Sequence, residues 1–428
     1  MQGVIGPRAT RQSLITDSTI LFPDWLGVAK NKRMKTPALC FLALQFCCRA
    51  HCAAGELPAP RLRAVEIDSK IEIGYGVTTA DVDGDGKLDI LLADKKQCVW
   101  YRNPGWEKFV LAENLTRQDN VCIAARDIDG DGKAEVAVGA AWNPNDTVNS
   151  GAVFFLIAPK DRTQKWDAVE LPHEPTVHRM RWVQNGSGKF DLIVAPLHGR
   201  GNKDGQGAGV RILAYKVPGD PRAPWSTEVV DDFLHMTHNL DPVNWNGRNA
   251  GELLVAGKEG VFDLVHESAG WKRRALVDKE EPDFQGAGEV RAGKLPGGHG
   301  FFATVEPMHG NQLAVYTSME GGSAGRWKRK VLDKSLQEGH ALACGDLLGI
   351  ASDQIVVGWR GKNSEGKTGI KLFMPLDNEG KNWRESLLDD NTMACEDLCL
   401  VDLNGDGKLD LVAAGRATKN VKIYLNER

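Results

Sequence analysis

Net charge is nearly absent from this sequence: its 428 residues carry a formal net charge of −4, which gives no electrostatic footprint for nucleic acid. Long apolar runs are missing too. The best candidate, Pro37 to Cys48, is about a dozen residues, too short to cross a bilayer as a helix. No segment shows convincing amphipathic helical periodicity. Cysteine is thin: of nine in all, Cys98, Cys122, Cys344, Cys395 and Cys399 are the ones beyond residue 54. Most of these fall in apolar strand-like stretches, where a small buried hydrophobe is the default and a disulfide framework is not indicated.

What the N-terminus does have is an export pattern. From Met34 the chain reads Met-Lys, then the apolar run, then Cys52-Ala-Ala54. A basic start, a short apolar core and small residues before the cut describe a secretory signal peptide over 34–54, with cleavage before Gly55. Residues 1–33 then read as a misassigned upstream extension. A membrane anchor or disordered tail is the blander reading. Cys52 lacks the residues expected before a lipoprotein cysteine, so the expectation is a secreted or periplasmic chain with no membrane insertion after cleavage.

Internal repeats dominate the rest. Trp is followed five residues later by Leu or Val at Trp106/Leu111, Trp166/Leu171, Trp225/Val230, Trp271/Leu276, Trp327/Leu332 and Trp383/Leu388. Each pair sits in a short alternating segment that suits a half-buried strand. A second signal, apolar strand, Asp/Asn/Gly-rich turn, apolar strand, is sharp at 81–92, 127–138 and 402–413. It is degenerate at 183–195, 244–256 and 346–357, and reduced to a glycine turn at 290–305. The two signals interleave into seven units of four antiparallel strands. That predicts an all-β, seven-bladed β-propeller over 55–428. The last unit stops at its third strand, 421–425, so the missing strand is expected from 62–67, closing the ring by pairing N- and C-terminal strands.

Three of the turns place acidic or amide groups at positions 1, 3, 5 and 9: Asp81, Asp83, Asp85, Asp89; Asp127, Asp129, Asp131, Glu135; and Asp402, Asn404, Asp406, Asp410. Glycines between them allow the tight backbone that aims alternate side chains at one point. A hard cation taking several oxygens needs this crowding. An EF-hand would need a Glu at position 12, where Leu92, Val138 and Ala413 stand. The expectation is structural calcium in strand–loop–strand sites; the alternative is a plain Asp-Gly turn, as the uncharged Asn185-Gly-Ser-Gly188 illustrates. The string Asp81-Val-Asp-Gly-Asp-Gly-Lys-Leu-Asp89 resembles the FG-GAP/VCBS repeats of integrin-α-type propellers. That resemblance implies the fold and leaves activity open.

If those turns occupy one face, the starts of first strands and the ends of second strands meet on the other. Repeat register puts His178, His238, His340 and Glu396 at the former. It puts His198, Lys258, His309, Arg360 and Arg416 just past the latter, with Glu306, Arg179 and Trp142 nearby. His173, His235, His266 and His299 scatter. A lone histidine at a strand end is usually a hydrogen-bonded structural residue, whereas several beside Arg and Lys predict a ligand or reaction site. Imidazoles could hold a second divalent metal there, although no tight spacing such as His-x-x-x-His supports it. Long loops at 143–150, 199–209 and 361–368 lie on the same rim.

Several rim strings, Val177-His-Arg-Met-Arg-Trp182, Pro196-Leu-His-Gly199, Thr237-His-Asn239, Glu306-Pro-Met-His-Gly310 and Glu338-Gly-His-Ala-Leu-Ala-Cys344, resemble the propeller domain of the aldos-2-ulose dehydratases. The likeness is confined to the propeller; those enzymes continue into cupin domains, and steps that depend on cupins do not carry over. The resemblance implies a carbohydrate lyase acting on a keto or anhydro-keto sugar, with His178, His198, His238, His309, His340 and Glu396 as catalytic candidates. Trp142, Arg179, Lys258, Glu306, Arg360 and Arg416 would then bind substrate. The alternative is a non-catalytic glycan- or protein-binding, integrin-like propeller; a flat aromatic rim would favour glycan binding, and Trp142 alone hints at one.

Overall fold

The computed structural model describes residues 59–428 apart from 246, 248–250 and 319–325; the expected signal peptide and upstream extension lie outside the described residues. Twenty-eight strands form seven four-stranded antiparallel sheets. Blades 1 to 6 each run from inside to outside in chain order. Blade 7 takes its outermost strand, Leu62–Asp68, from the N-terminal side, paired with Asn420–Asn426 from Leu62↔Asn426 to Asp68↔Val421. The expected ring closure is therefore observed. Among the described residues, no helix is long and apolar enough to cross a membrane.

The innermost strands are Gly76–Ala80, Cys122–Arg126, Val177–Gln184, Thr237–Pro242, Glu289–Lys294, Gly339–Gly345 and Cys395–Val401. Each neighbours the next around a central channel, and the last neighbours the first. The core lies between blades. One cluster joins Leu91 and Trp100 of blade 1 to Val136, Val138, Phe154 and Trp166 of blade 2. Each fully buried large aliphatic side chain contributes about 1.5–3 kcal/mol, so most of the stability sits in these inter-blade seams. The repeated Trp opens the outermost strand. Trp166, Trp225 and Trp383 each donate their indole N–H to a carbonyl three or four residues back, closing the turn before that strand.

The acidic turns lie between first and second strands in blades 7, 1 and 2, which are consecutive around the ring. A recurring clamp ties them together. Asn103 Nδ2 donates to Leu88 O of its own turn (3.0 Å) and to Leu403 O of the turn in blade 7 (2.7 Å). Asn426 does the same to Leu409 O (3.0 Å) and Leu347 O (2.8 Å). Arg162 Nη1 bridges Ala134 O (3.0 Å) and Val82 O (2.7 Å) in blade 2. Each clamp thus links position 8 of one turn to position 2 of the preceding blade's turn.

Candidate functional site

The turns fold as their glycines dictate. Gly84, Gly86, Gly130, Gly132, Gly405 and Gly407 all have φ between +75° and +84°, a region costly for any residue with a Cβ. Their N–H groups point inward: Asp81 accepts from Gly84 and Gly86 (2.7 and 2.8 Å), and Asp127 and Asp402 repeat the pattern. One oxygen each from Asp81, Asp83 and Asp85 lie within 4.8 Å of one another, as do those of Asp127, Asp129 and Glu135. Burial, with the neighbouring carboxylates adding to it, raises Asp89 and Glu135 to about 7 and raises Asp410. Asp83 Oδ1 is buried without a hydrogen-bond partner. Crowded, under-neutralised carboxylates with an orphan oxygen are a donor set that fits a hard cation. Position 9 has a second duty: Asp89 accepts from Val82 N and Asn103 N (2.9 and 2.8 Å), and Asp410 from Leu403 N and Asn426 N (3.0 and 2.8 Å).

At the other end of the channel, four of the rim histidines meet. Ring centroids are 4.4 Å apart for His178–His238, 4.5 Å for His238–His309, 4.7 Å for His309–His340 and 5.0 Å for His238–His340. His238, His309 and His340 can each offer a ring nitrogen within 4.8 Å of the others, and His309 Nε2 is 2.6 Å from His238 Nε2. Two tautomers are set by backbone carbonyls. His178 Nδ1 is 2.8 Å from His238 O, and His340 Nδ1 is 2.5 Å from Glu396 O. A carbonyl only accepts, so both Nδ1 atoms carry the proton and both Nε2 atoms carry a lone pair, that of His178 facing an Arg179 N–H.

All four rings are held neutral. Burial, then Arg179 and His238, keeps His178 far below the usual histidine value; burial, then His309 and Arg179, does so for His238, and burial, then Arg360 and His309, for His340. His309 is exposed at the outer edge, but its Nε2 end is turned into the cluster, and enclosure of that end followed by Arg360 lowers it to about 4. Around the rings, Glu396 accepts from Arg360 Nη1 with both oxygens (2.8 Å each) and from Arg416 Nη1 (3.0 Å). Arg179 Nη1 lies 3.4 Å from His178 Nε2, and the Trp142 ring packs tilted against His178, centroids 4.9 Å apart.

Three expected members stand apart. His198 is carried past its strand end into a bridge with Met236, its N–H bonded to Thr176 Oγ1 (2.9 Å). Lys258 Nζ is drawn to Asp204 O at 3.0 Å. Glu306 shares a strand face with Thr304, and that face looks outward across its own blade: it accepts from Thr304, Tyr316 (both 2.6 Å) and Arg329 (2.6 Å). Cys344 and Cys399, expected as packed hydrophobes, are half-buried in the channel lining.

Glu289 was missed. It opens the innermost strand of blade 5, and its Oε1 is 3.0 Å from His238 Nδ1. The contact is close but out of line for a hydrogen bond, so both buried atoms lack a bonded partner. Its other oxygen accepts from Asn239 Nδ2 at 2.6 Å. Blade 5 keeps no acidic turn to anchor a register; the pairing Glu289↔Val305, level with the strand ends that carry the other rim residues, is the signal that places it.

The fold is a seven-bladed β-propeller, and within it residues 81–138 match the FG-GAP-like repeat and 123–156 the FG-GAP repeat. Residues 150–319 match the aldos-2-ulose dehydratase β-propeller domain, a span that contains His178, His238, Glu289 and His309. The chain is similar to the aldos-2-ulose dehydratase of Phanerodontia chrysosporium, 24% identical over 333 residues, covering 71% of this chain and 36% of that enzyme. It thus spans about a third of that relative's length. Among solved structures, it is similar to a chain of the mitotic checkpoint complex (TM-score 0.53, 13% identity, 91% of this chain and 98% of that one). It is also similar to BBS1N in complex with ARL6DN (TM-score 0.52, 14% identity, 86% and 97%). These two likenesses concern the fold alone.

Proposed function

We propose that this chain is the propeller of a carbon–oxygen lyase that removes water from a keto or anhydro-keto sugar at the histidine cluster. The observation that carries the reading is the convergence of four neutral imidazoles on one channel mouth, with three of them in the dehydratase-like span. A protein selecting only for stability gains little from burying imidazoles beside guanidiniums.

The donor set of His238, His309 and His340 fits a borderline divalent ion such as zinc better than calcium. When bound there, such an ion would stabilise negative charge on a substrate carbonyl oxygen. His178 is left over from the three. Its lone-pair Nε2 is the base: it takes the proton from the carbon beside the carbonyl, the C–H electrons form the C=C bond, and the hydroxyl on the next carbon departs. The imidazolium returns the proton to that hydroxyl, which leaves as water, so charge balances. Arg179 and Arg416 supply donors to substrate oxygens, and Trp142 offers a face for the sugar ring. Glu396, its oxygens taken by Arg360 and Arg416, is a positioning residue rather than an acid.

Calcium in the three acidic turns is part of the same reading, as a structural ion on the far face, and the N-terminal pattern supports export with cleavage before Gly55. The test is to incubate keto sugars with the protein before and after stripping divalent ions. Enone formation that returns with zinc and not with calcium supports the assignment; equal activity after stripping removes the ion from it.

A further inference from the structure

The half of the channel next to the acidic turns is a separate cavity of about 410 Å³. The later residues of the innermost strands line it, among them Arg181, Asp241, Arg291 and Asp397, with Thr78 and Trp182. His178, His238 and His340 stand at the starts of three of those strands and His309 just past the end of Gly300–Glu306, and none of the four lines this cavity, so the two sites sit at opposite ends of one channel.

The hydrogen-bond inventory of this cavity is lopsided. Asp397 already accepts from Val77 N (2.9 Å) and Leu398 N (3.0 Å), and Asp241 from Ala292 N (3.0 Å). The arginines are barely used. Arg181 Nη1 donates to Met180 O (2.8 Å), Arg291 Nη1 to Val290 O (2.6 Å), and Arg291 Nη2 comes within 3.7 Å of Glu289 Oε2. No ion pair within 4.0 Å joins either arginine to Asp241 or Asp397 among the described residues. Each guanidinium has five N–H donors and no acceptor, so the cavity holds donors in excess. Burial and then Arg291 make the charge of Arg181 costly. Arg126, stacked 4.5 Å over Phe190 at the cavity edge, adds a third guanidinium to a lining that holds two carboxylates, with Glu289 approaching Arg291 from outside that lining.

We propose that this loop-side half of the channel binds a small oxyanion, a carboxylate or a phosphate, held between Arg181 and Arg291. The ligand's oxygens fill the unused donors, and its charge relieves the repulsion between the two guanidiniums. Arginine rather than lysine suits the task because its planar fork matches two oxygens at once. Trp182 and Thr78 leave room beside the anion for a small carbon skeleton.

Selenate soaked into crystals of the unaltered protein should give one anomalous peak per chain between Arg181 and Arg291. Calorimetry with inorganic phosphate and, separately, with acetate then tells which oxyanion the site prefers. Arg181→Met should weaken binding of the preferred anion about tenfold or more, the loss of charge-assisted hydrogen bonds. Arg181→Lys, which keeps the charge without the fork, should fall between. Arg416→Met, at the histidine end, should leave the affinity unaltered. Selenate found only at the histidine end or nowhere, or undiminished binding by Arg181→Met, would overturn the proposal, and the crystal soak decides even if a variant fails to fold.

Discussion

Glu289 faces the back of the His238 ring: its Oε1 is 3.0 Å from His238 Nδ1, while Nε2 of that ring lies 2.6 Å from Nε2 of His309. The contact is not a hydrogen bond as it stands; a small turn of either group would make it one, the arrangement by which a carboxylate orients a metal-bound imidazole. Replacing such a partner costs roughly ten- to a hundredfold in metal affinity. Glu289→Gln should therefore lower zinc affinity by about that factor, measured by competition with a chromophoric chelator. His340→Ala should lower it at least as far. Unchanged zinc affinity in Glu289→Gln would detach Glu289 from this role.

The acidic turns predict a calcium-dependent melting temperature. An ion that binds the native state alone stabilises it by about 2.7 kcal/mol at a hundredfold excess over Kd. Chelation should lower the melting temperature and calcium restore it. Asp83→Ala with Asp85→Ala should blunt that response by removing two of the three converging carboxylates of blade 1. A melting curve indifferent to both chelator and calcium contradicts the assignment.

The inter-blade clamps give a prediction that needs no ligand. Asn103 is 5% exposed and satisfies two carbonyls in adjacent blades. Asn103→Ala should cost about 1–3 kcal/mol, the penalty for leaving buried groups unpaired, read as a lower midpoint in denaturant unfolding at unchanged slope.

Much of this was legible in the sequence because the repeat punctuates itself. Left-handed glycines and acids at fixed offsets marked the turns, Trp at matched spacing marked the outermost strands, and the two together set the register that put His178, His238, His309 and His340 on one rim. Register alone cannot say which way a side chain leaves a strand end, which is why Glu306 was expected at a mouth that it turns away from. Arg181, Asp241 and Arg291 lie further along the innermost strands than the rim offset reaches, and Glu289 opens blade 5, whose turn has no acid to fix an offset. The clamps did have a signal: Tyr101-Arg-Asn103 and Tyr424-Leu-Asn426 repeat at the ends of two third strands.

Export makes its own prediction. Protein recovered from its native host should begin near Gly55, as shown by N-terminal sequencing. A recovered chain that keeps residues 1–33 would rule out translation from Met34.

The central claim is that the histidine cluster eliminates water from a keto sugar, with His178 as base. The direct measurement is growth of ultraviolet absorbance from a conjugated enone when zinc-loaded protein meets a panel of 2-keto, 3-keto and anhydro-keto sugars. A positioned base contributes typically a hundred- to ten-thousandfold, so His178→Ala should lose about that much turnover while its zinc affinity and calcium-dependent melting stay intact. No enone from any sugar of the panel, with glycans still bound at the rim and that binding lost in His178→Ala, would contradict the claim and make the chain a binding propeller.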